Sequence, residues 1–263
     1  MHDASGPPAR LGIPGFRDLS RVWPAFAVLI LVGCAVHDPV PFDRKSRVAG
    51  SSSLRARVVY VAERHNEPSH HKRQERIIRS VHQRGRSLAV GMEMIDVTQQ
   101  RTLDHYLEKK ISWGMFARTT GFESGWGKTS PAYKRILEWS RKNGVAVFGL
   151  NAPRSVTRKI ARNQKLTATE AALVPAFPEP PGGLKRFQAA MAGHPGSGSV
   201  RQSYEAQRAW DTTMAETILS WLRKHQGTLV VLLGQIHADP QTGVPWYVAR
   251  NSDARQVVIY PTE

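Results

Sequence analysis

Five short, unbroken apolar runs constrain this chain most: RVVYVA at 57–62, SLAVGMEM at 87–94, VAVFGLN at 145–151, TLVVLLGQIH at 228–237 and QVVIY at 256–260. They are rich in β-branched residues and do not alternate apolar with polar. A strand that is apolar at every position must be covered on both faces, which is the condition of a parallel sheet sandwiched between helices. The intervening segments read as those helices. EPSHHKRQERIIRSVHQRG carries Pro68 in its first turn and Gly85 as its stop, and DVTQQRTLDHYLEKK places Leu103, Tyr106 and Leu107 on one face. SPAYKRILEWSRKNG is expected to start with Ser130 as cap and Pro131 at the first helical position, and to end at Gly144. The expected fold class is α/β, a mostly parallel sheet flanked by helices. Between the third and fourth runs lie roughly seventy-five residues, more than a simple crossover needs. They include VPAFPEPPGG and GHPGSGS, too rich in Pro and Gly for regular structure, and then QSYEAQRAWDTTMAETILSWLRKHQG, a long helical pattern. Residues 152–215 are expected to form a largely helical lid insertion.

Lys+Arg number 37 against 21 Asp+Glu, a net charge of +16, so the surface attracts anions. With no zinc-finger cysteines and no regular interleaving of Arg with aromatics, nucleic acid is not an expected partner. The single cysteine, Cys34, excludes an internal disulfide. It follows Arg10, Arg17, Arg21 and the run VWPAFAVLILVG, a basic region and then a short apolar one. About ten apolar residues fall short of the about 20 that span a bilayer. Residues 1–33 are therefore expected to be a signal peptide, and LVGC at 31–34 resembles a bacterial lipobox, which implies cleavage before Cys34 and its acylation. Residues 34–54 would be a tether, and 55–263 the folded domain. By resemblance to sorting rules, Ala35 after the cysteine implies an outer-membrane lipoprotein facing the periplasm.

Four of the five runs stop on polar groups: Glu63 and His65, Glu93, Asn151, and His237. A lone histidine after a strand is more often a hydrogen-bonded structural group than a ligand. In an open parallel sheet, however, ligands bind beyond the carboxyl ends of the strands, so these residues are expected to converge on one rim.

Five blocks in order, VAERHNEPSHHKRQ, GMEMIDVTQQ, PAYKRILEWSRKNGVAVFGLNAPR, AQRAWDTTMAETI and GQIHADPQTGVP, resemble the ChaN-like haem-binding lipoprotein family of the Tiki and erythromycin-esterase-like superfamily. The family's Gly-Glu-x-His opening falls on Ala62, Glu63, Arg64 and His65, with alanine replacing glycine. Its further blocks fall on Gln74, Glu93, Gln100, Asn151, Pro153, Arg154, Gln207, Asp211 and Met214, and Gly-x-x-His on Gly234 to His237. The resemblance implies haem binding in bacterial iron uptake, ligation by a tyrosine, and a homodimer that stacks two haems.

Two readings of the rim stay open at this level. As a haem site, it would draw on Glu63, His65, Glu93, Asn151, Arg154 and His237, with Tyr106, Tyr133 or Tyr204 as the axial ligand. Trp113, Met115, Phe116, Phe122 and Trp126 would supply an apolar slot, and Arg154, Arg158, Lys185 and Arg186 would meet the propionates. As a metal-assisted hydrolase, His65, His237, Glu63 and Glu93 would hold a divalent metal ion with a position left for water, or His65 would act as general base without one. GKTS at 127–130 lacks the first glycine of a phosphate-binding loop, since position 122 is Phe, and reads as a helix cap.

Overall fold

The computed structural model describes residues 56–192 and 199–261. The expected signal peptide, the tether, Cys34 and most of GHPGSGS lie outside the described residues. The first half runs β1 (Val58–Glu63), α1 (Pro68–His82), β2 (Leu88–Asp96), α2 (Gln100–Leu107), α3 (Trp113–Thr120), α4 (Phe122–Trp126), α5 (Ser130–Asn143) and β3 (Ala146–Asn151). Then follow α6 (Arg154–Ala161), α7 (Ala168–Ala171), α8 (Gly183–Ala190), α9 (Val200–Lys224), β4 (Thr228–Gly234), α10 (Val244–Asn251) and β5 (Gln256–Ile259).

The five strands form one sheet in the order β3-β2-β4-β1-β5, and every pairing is parallel. Each face carries its own core, which is why the strands are apolar at consecutive positions. On one face Val59, Val61, Val90, Met92 and Val230 pack under α1 and α5 through Ile77, Ile78, Val81, Ile136 and Leu137. On the other, Val58, Tyr60, Leu229, Val231 and Leu233 pack under α9 and α10 through Met214, Ala215, Ile218, Trp221, Tyr247 and Val248. Burying a side chain of this size is worth about 1.5–3 kcal/mol, so both helical layers are integral to stability.

Two local expectations are corrected. Ser130 is not a cap but the first, buried residue of α5, preceded by a short 3₁₀ turn at 127–129, and Thr129 at the capping position makes no side-chain cap bond. The division placed at 215 falls inside α9, which continues unbroken to Lys224, and its C-terminal half covers the sheet instead of capping the site. Gly144 does end α5 in the left-handed conformation, at φ 65°.

From β2 the chain passes to β3 at one edge. From β4 it passes to β5 on the other side. The connections that follow these adjacent central strands therefore diverge and leave a crevice at their carboxyl ends.

Candidate functional site

A cleft of about 620 Å³ opens in that crevice, within the size range of small-molecule and cofactor sites. His65, Glu93, Asn151 and His237 line it together with Arg154, while Glu63, which ends β1, lies behind His65 and does not. Met94, Phe122, Trp126, Met191, Trp210 and Ile236 supply its apolar wall.

Beneath the cleft, imidazoles and carboxylates alternate in a line. His71 Nε2 lies 3.3 Å from Glu63 Oε2, and Glu63 Oε1 is 2.6 Å from His65 Nδ1. His65 Nε2 is 3.7 Å from Glu93 Oε1, which lies 3.3 Å from His237 Nε2, and His237 Nδ1 is 2.5 Å from Asp211 Oδ1. Burying this many ionisable groups is costly unless each is paired, and each carboxylate here stands 3.7 Å or less from an imidazole nitrogen.

Glu63 is buried at the end of β1, in register with Gly234 of β4. Burial alone would raise its pKa, but hydrogen bonds from His65, His71 and Tyr133 outweigh it and hold Glu63 down to about 2. Through Nδ1, Glu63 fixes the ring of His65, whose side chain is 39% exposed and packs edge-on against Trp126 at 5.1 Å. Burial works against the charged form of His65, but Glu63 and Glu93 prevail and its pKa is raised.

On the other side of Glu93, the amide of Gly234 donates to Glu93 Oε2 at 2.6 Å. Burial would raise the Glu93 pKa, but His237, His65 and this amide lower it. Burial also opposes a charge on His237, yet Glu93 and Asp211 hold its pKa up to about 10. Asp211 is pushed by burial up to about 6, against the pull of His237 and Gln207. The two flanking carboxylates thus favour the charged form of the buried His237. The Gln207 side-chain amide lies 2.9 Å from the same Nδ1, and Trp210 meets the ring edge-on at 6.1 Å.

A close backbone approach sets the position of His237. The amide of Val244 donates to the carbonyl of His237 at 2.9 Å, and a Cβ added to Gly243 would lie 2.3 Å from that carbonyl oxygen. Gly243→Ala must therefore move backbone. It is expected to cost about 1–3 kcal/mol of stability, as overpacking does, and to displace His237. Thermal unfolding beside the variant's ligand titration checks both.

Several expected site residues stand elsewhere. Tyr133 is fully buried on α5 and donates to Glu63 Oε1, so it backs the site without reaching the cleft. Burial and the nearby Glu63 push its pKa strongly upward, opposing the ionised form that a tyrosinate ligand needs. Tyr106 is core on α2, packed against Trp113 and Phe116 and under the Arg141 guanidinium. Tyr204 is buried at the start of α9 beside Phe187. None of the three lines the cleft. Of the aromatic slot, Phe122 and Trp126 line it, Phe116 is core, and Trp113 packs against that core. Of the cations proposed for propionates, Arg154 lines the cleft, while Arg158, Lys185 and Arg186 do not. The four groups suggested for a divalent metal do not form a cage, because Glu63 lies behind His65 and is occupied by His71 and Tyr133. Among the described residues, no group of three or more His, Cys, Asp or Glu is placed to hold a metal ion.

His71, Gln207, Trp210 and Asp211 carry roles that were not assigned from sequence. Gln207 and Asp211 had a visible signal: four residues apart in a helix, they share a face. Gln100 is structural, its side chain bridging the Gly149 amide and the Val147 carbonyl of edge strand β3.

The model of the family described as haem-binding uptake, Tiki superfamily, ChaN matches residues 51–248. The chain belongs to this family. Among solved structures, it is similar to ChaN of Campylobacter jejuni, described with cofacial haem binding, at 18% identity and a TM-score of 0.61 over 81% of this chain and 84% of that one. It is also similar to the erythromycin esterase EreC in an open conformation, at 13% identity and a TM-score of 0.50 over 80% of this chain and 71% of that one. These likenesses show a shared fold. No curated protein matches.

Proposed function

We propose that this chain binds haem in the cleft and acts in haem or iron uptake as a membrane-anchored lipoprotein. The observation that carries the reading is the placement of His65. Its ring is fixed through Nδ1 by a buried carboxylate, and its partly exposed side chain lines an aromatic-walled cleft, with Nε2 3.7 Å from Glu93 Oε1. Iron-ligating histidines are held in this way, the second nitrogen bonded to a carboxylate that orients the ring. When bound, haem supplies an iron that takes an axial base and two carboxylates that seek cations. His65 is placed for the first role and Arg154 for one of the second. Met94, Phe122, Trp126 and Trp210 would flank the macrocycle. The axial ligand expected from resemblance was a tyrosine. The three candidates are buried away from the cleft, so the reading moves that role to His65.

Membership of the ChaN family supports haem as the ligand. The lipobox-like LVGC and the leader before it support an anchor through Cys34, with the protein at the outer membrane and facing the periplasm. The family resemblance implies a homodimer, and the cofacial haem binding described for the C. jejuni structure supports two stacked haems as its cargo. Titration of the protein with ferric hemin is expected to saturate at one hemin per chain, with quenching of tryptophan fluorescence from Trp126 and Trp210. Weak, unsaturable binding with no spectral change would refute the proposal.

The alternating line of charges favours one further reading, acid–base hydrolysis without a metal. Glu63 orients His65 as it would a general base, and the Glu93–His237–Asp211 group would take up or release a proton. Ester hydrolysis by hemin-free protein that disappears in His65→Ala would support it.

A further inference from the structure

All five strands of a parallel sheet start at the same pole, and here that pole is basic. The connections leading into β2, β3, β4 and β5 carry Arg84, Arg86, Lys142, Arg223, Lys224 and Arg255, all exposed. Their acidic residue is Asp253, and Arg223 is paired with Glu216 of α9 at 2.6 Å. These connections adjoin one another. The Thr228 amide donates to the Ser87 carbonyl at 2.9 Å, the Arg57 amide donates to the Arg255 carbonyl at 2.8 Å, and the Arg57 guanidinium donates to the His225 carbonyl at 2.6 Å. The six cations therefore share one end of the domain. The opposite pole bears the cleft, where Glu93 and Asp96 stand beside Arg154 and two histidines.

We infer that the basic pole docks on anionic lipid headgroups and so turns the cleft away from the bilayer. Two observations select a membrane over other polyanions. The first is the cluster of exposed cations at this pole, the charge that complements an anionic surface. The second is the route of the chain: Ala56, whose carbonyl accepts from the Thr228 hydroxyl at 3.1 Å, enters the domain at this pole. The segment that joins Cys34 to the domain thus attaches to the basic end and not to the cleft rim. The choice of membrane rests on the lipoprotein reading but not on haem. An acyl anchor would supply most of the binding. The basic pole would supply orientation, since headgroup attraction acts only within about a Debye length, near 10 Å at 0.1 M salt.

The test compares full-length protein on vesicles of phosphatidylcholine alone and on vesicles containing phosphatidylglycerol. Acyl chains insert into either, so the difference isolates the headgroup contribution. Each cation near an anionic surface contributes about fivefold to binding, so Lys142→Gln, Lys224→Gln and Arg255→Gln together are expected to reduce the preference for phosphatidylglycerol by about 100-fold. A control triple with the same loss of charge on the lateral face of α1 and α5, Lys72→Gln, Arg76→Gln and Arg135→Gln, is expected to change it by less than about threefold. Hemin titration of both triples should match wild type, which separates failure of this inference from failure of the haem reading. Equal losses in both triples, no preference for phosphatidylglycerol in the wild type, or tighter binding of duplex DNA than of the vesicles at the same ionic strength would each overturn it.

Discussion

His237→Ala is expected to lower the stability of this protein by about 3–5 kcal/mol at neutral pH, because it removes a buried cation and leaves Glu93 and Asp211 buried without it. For a domain of this size, that corresponds to a fall in Tm of about 6–20 °C. The loss has a pH signature. Asp211 is already pushed up to about 6, and without His237 it is pushed further, so acidification discharges it and relieves the variant. The difference between wild type and His237→Ala should therefore shrink as pH falls towards about 6, because Asp211 is discharged in the variant first. In the wild type the sign is opposite: the His237 pKa is raised to about 10, so its stabilisation is present below the ordinary histidine range and lost as pH rises through about 10. A loss below about 1 kcal/mol at neutral pH would show that His237 is not a buried cation.

Glu63→Gln is the second large expected effect. Glutamine keeps the shape but removes the charge that His65 and His71 share. A folded pKa of about 2 against an ordinary 4.5 corresponds to about 3 kcal/mol of stability. As a depressed carboxylate, Glu63 contributes that stability above about pH 4.5 and loses it as pH falls towards 2. Acid titration of unfolding free energy should therefore be shallower in Glu63→Gln than in wild type over that interval, with the curves converging at the acid end. Parallel curves would place Glu63 outside the charge line. The same substitution should weaken ligand binding, because His65 loses the bond that fixes its ring.

What could be read from sequence was whatever depends on local pattern. Unbroken apolar runs such as VVYVA and TLVVLLG require cover on both faces, so the parallel sheet and its helical layers were accessible. The rule that such sheets bind at their carboxyl ends then pointed to Glu63, His65, Glu93, Asn151 and His237, of which all but Glu63 line the cleft. What sequence could not show depends on how helices dock. The pairing of His71 with Glu63, and of Asp211 with His237, needs α1 and α9 at particular rotations over the sheet. Tyr133 shows the converse. It lies in a block that resembles the family pattern, but α5 turns its hydroxyl inward to Glu63 instead of outward to the cleft. The boundary drawn at 215 failed for a related reason. α9 changes role along its length, from meeting the site at Gln207 and Asp211 to covering the sheet at Ile218 and Trp221, without any break in its helical pattern.

The account stands most directly on which side chain meets the iron. Its test is the absorption spectrum of the ferric hemin complex of wild type, His65→Ala, Tyr133→Phe and Tyr106→Phe, each first checked for folding by circular dichroism. The account predicts a histidine-type spectrum in wild type and in both tyrosine variants, and its loss in His65→Ala. A tyrosinate-type spectrum that survives in His65→Ala and disappears in one of the tyrosine variants would contradict it.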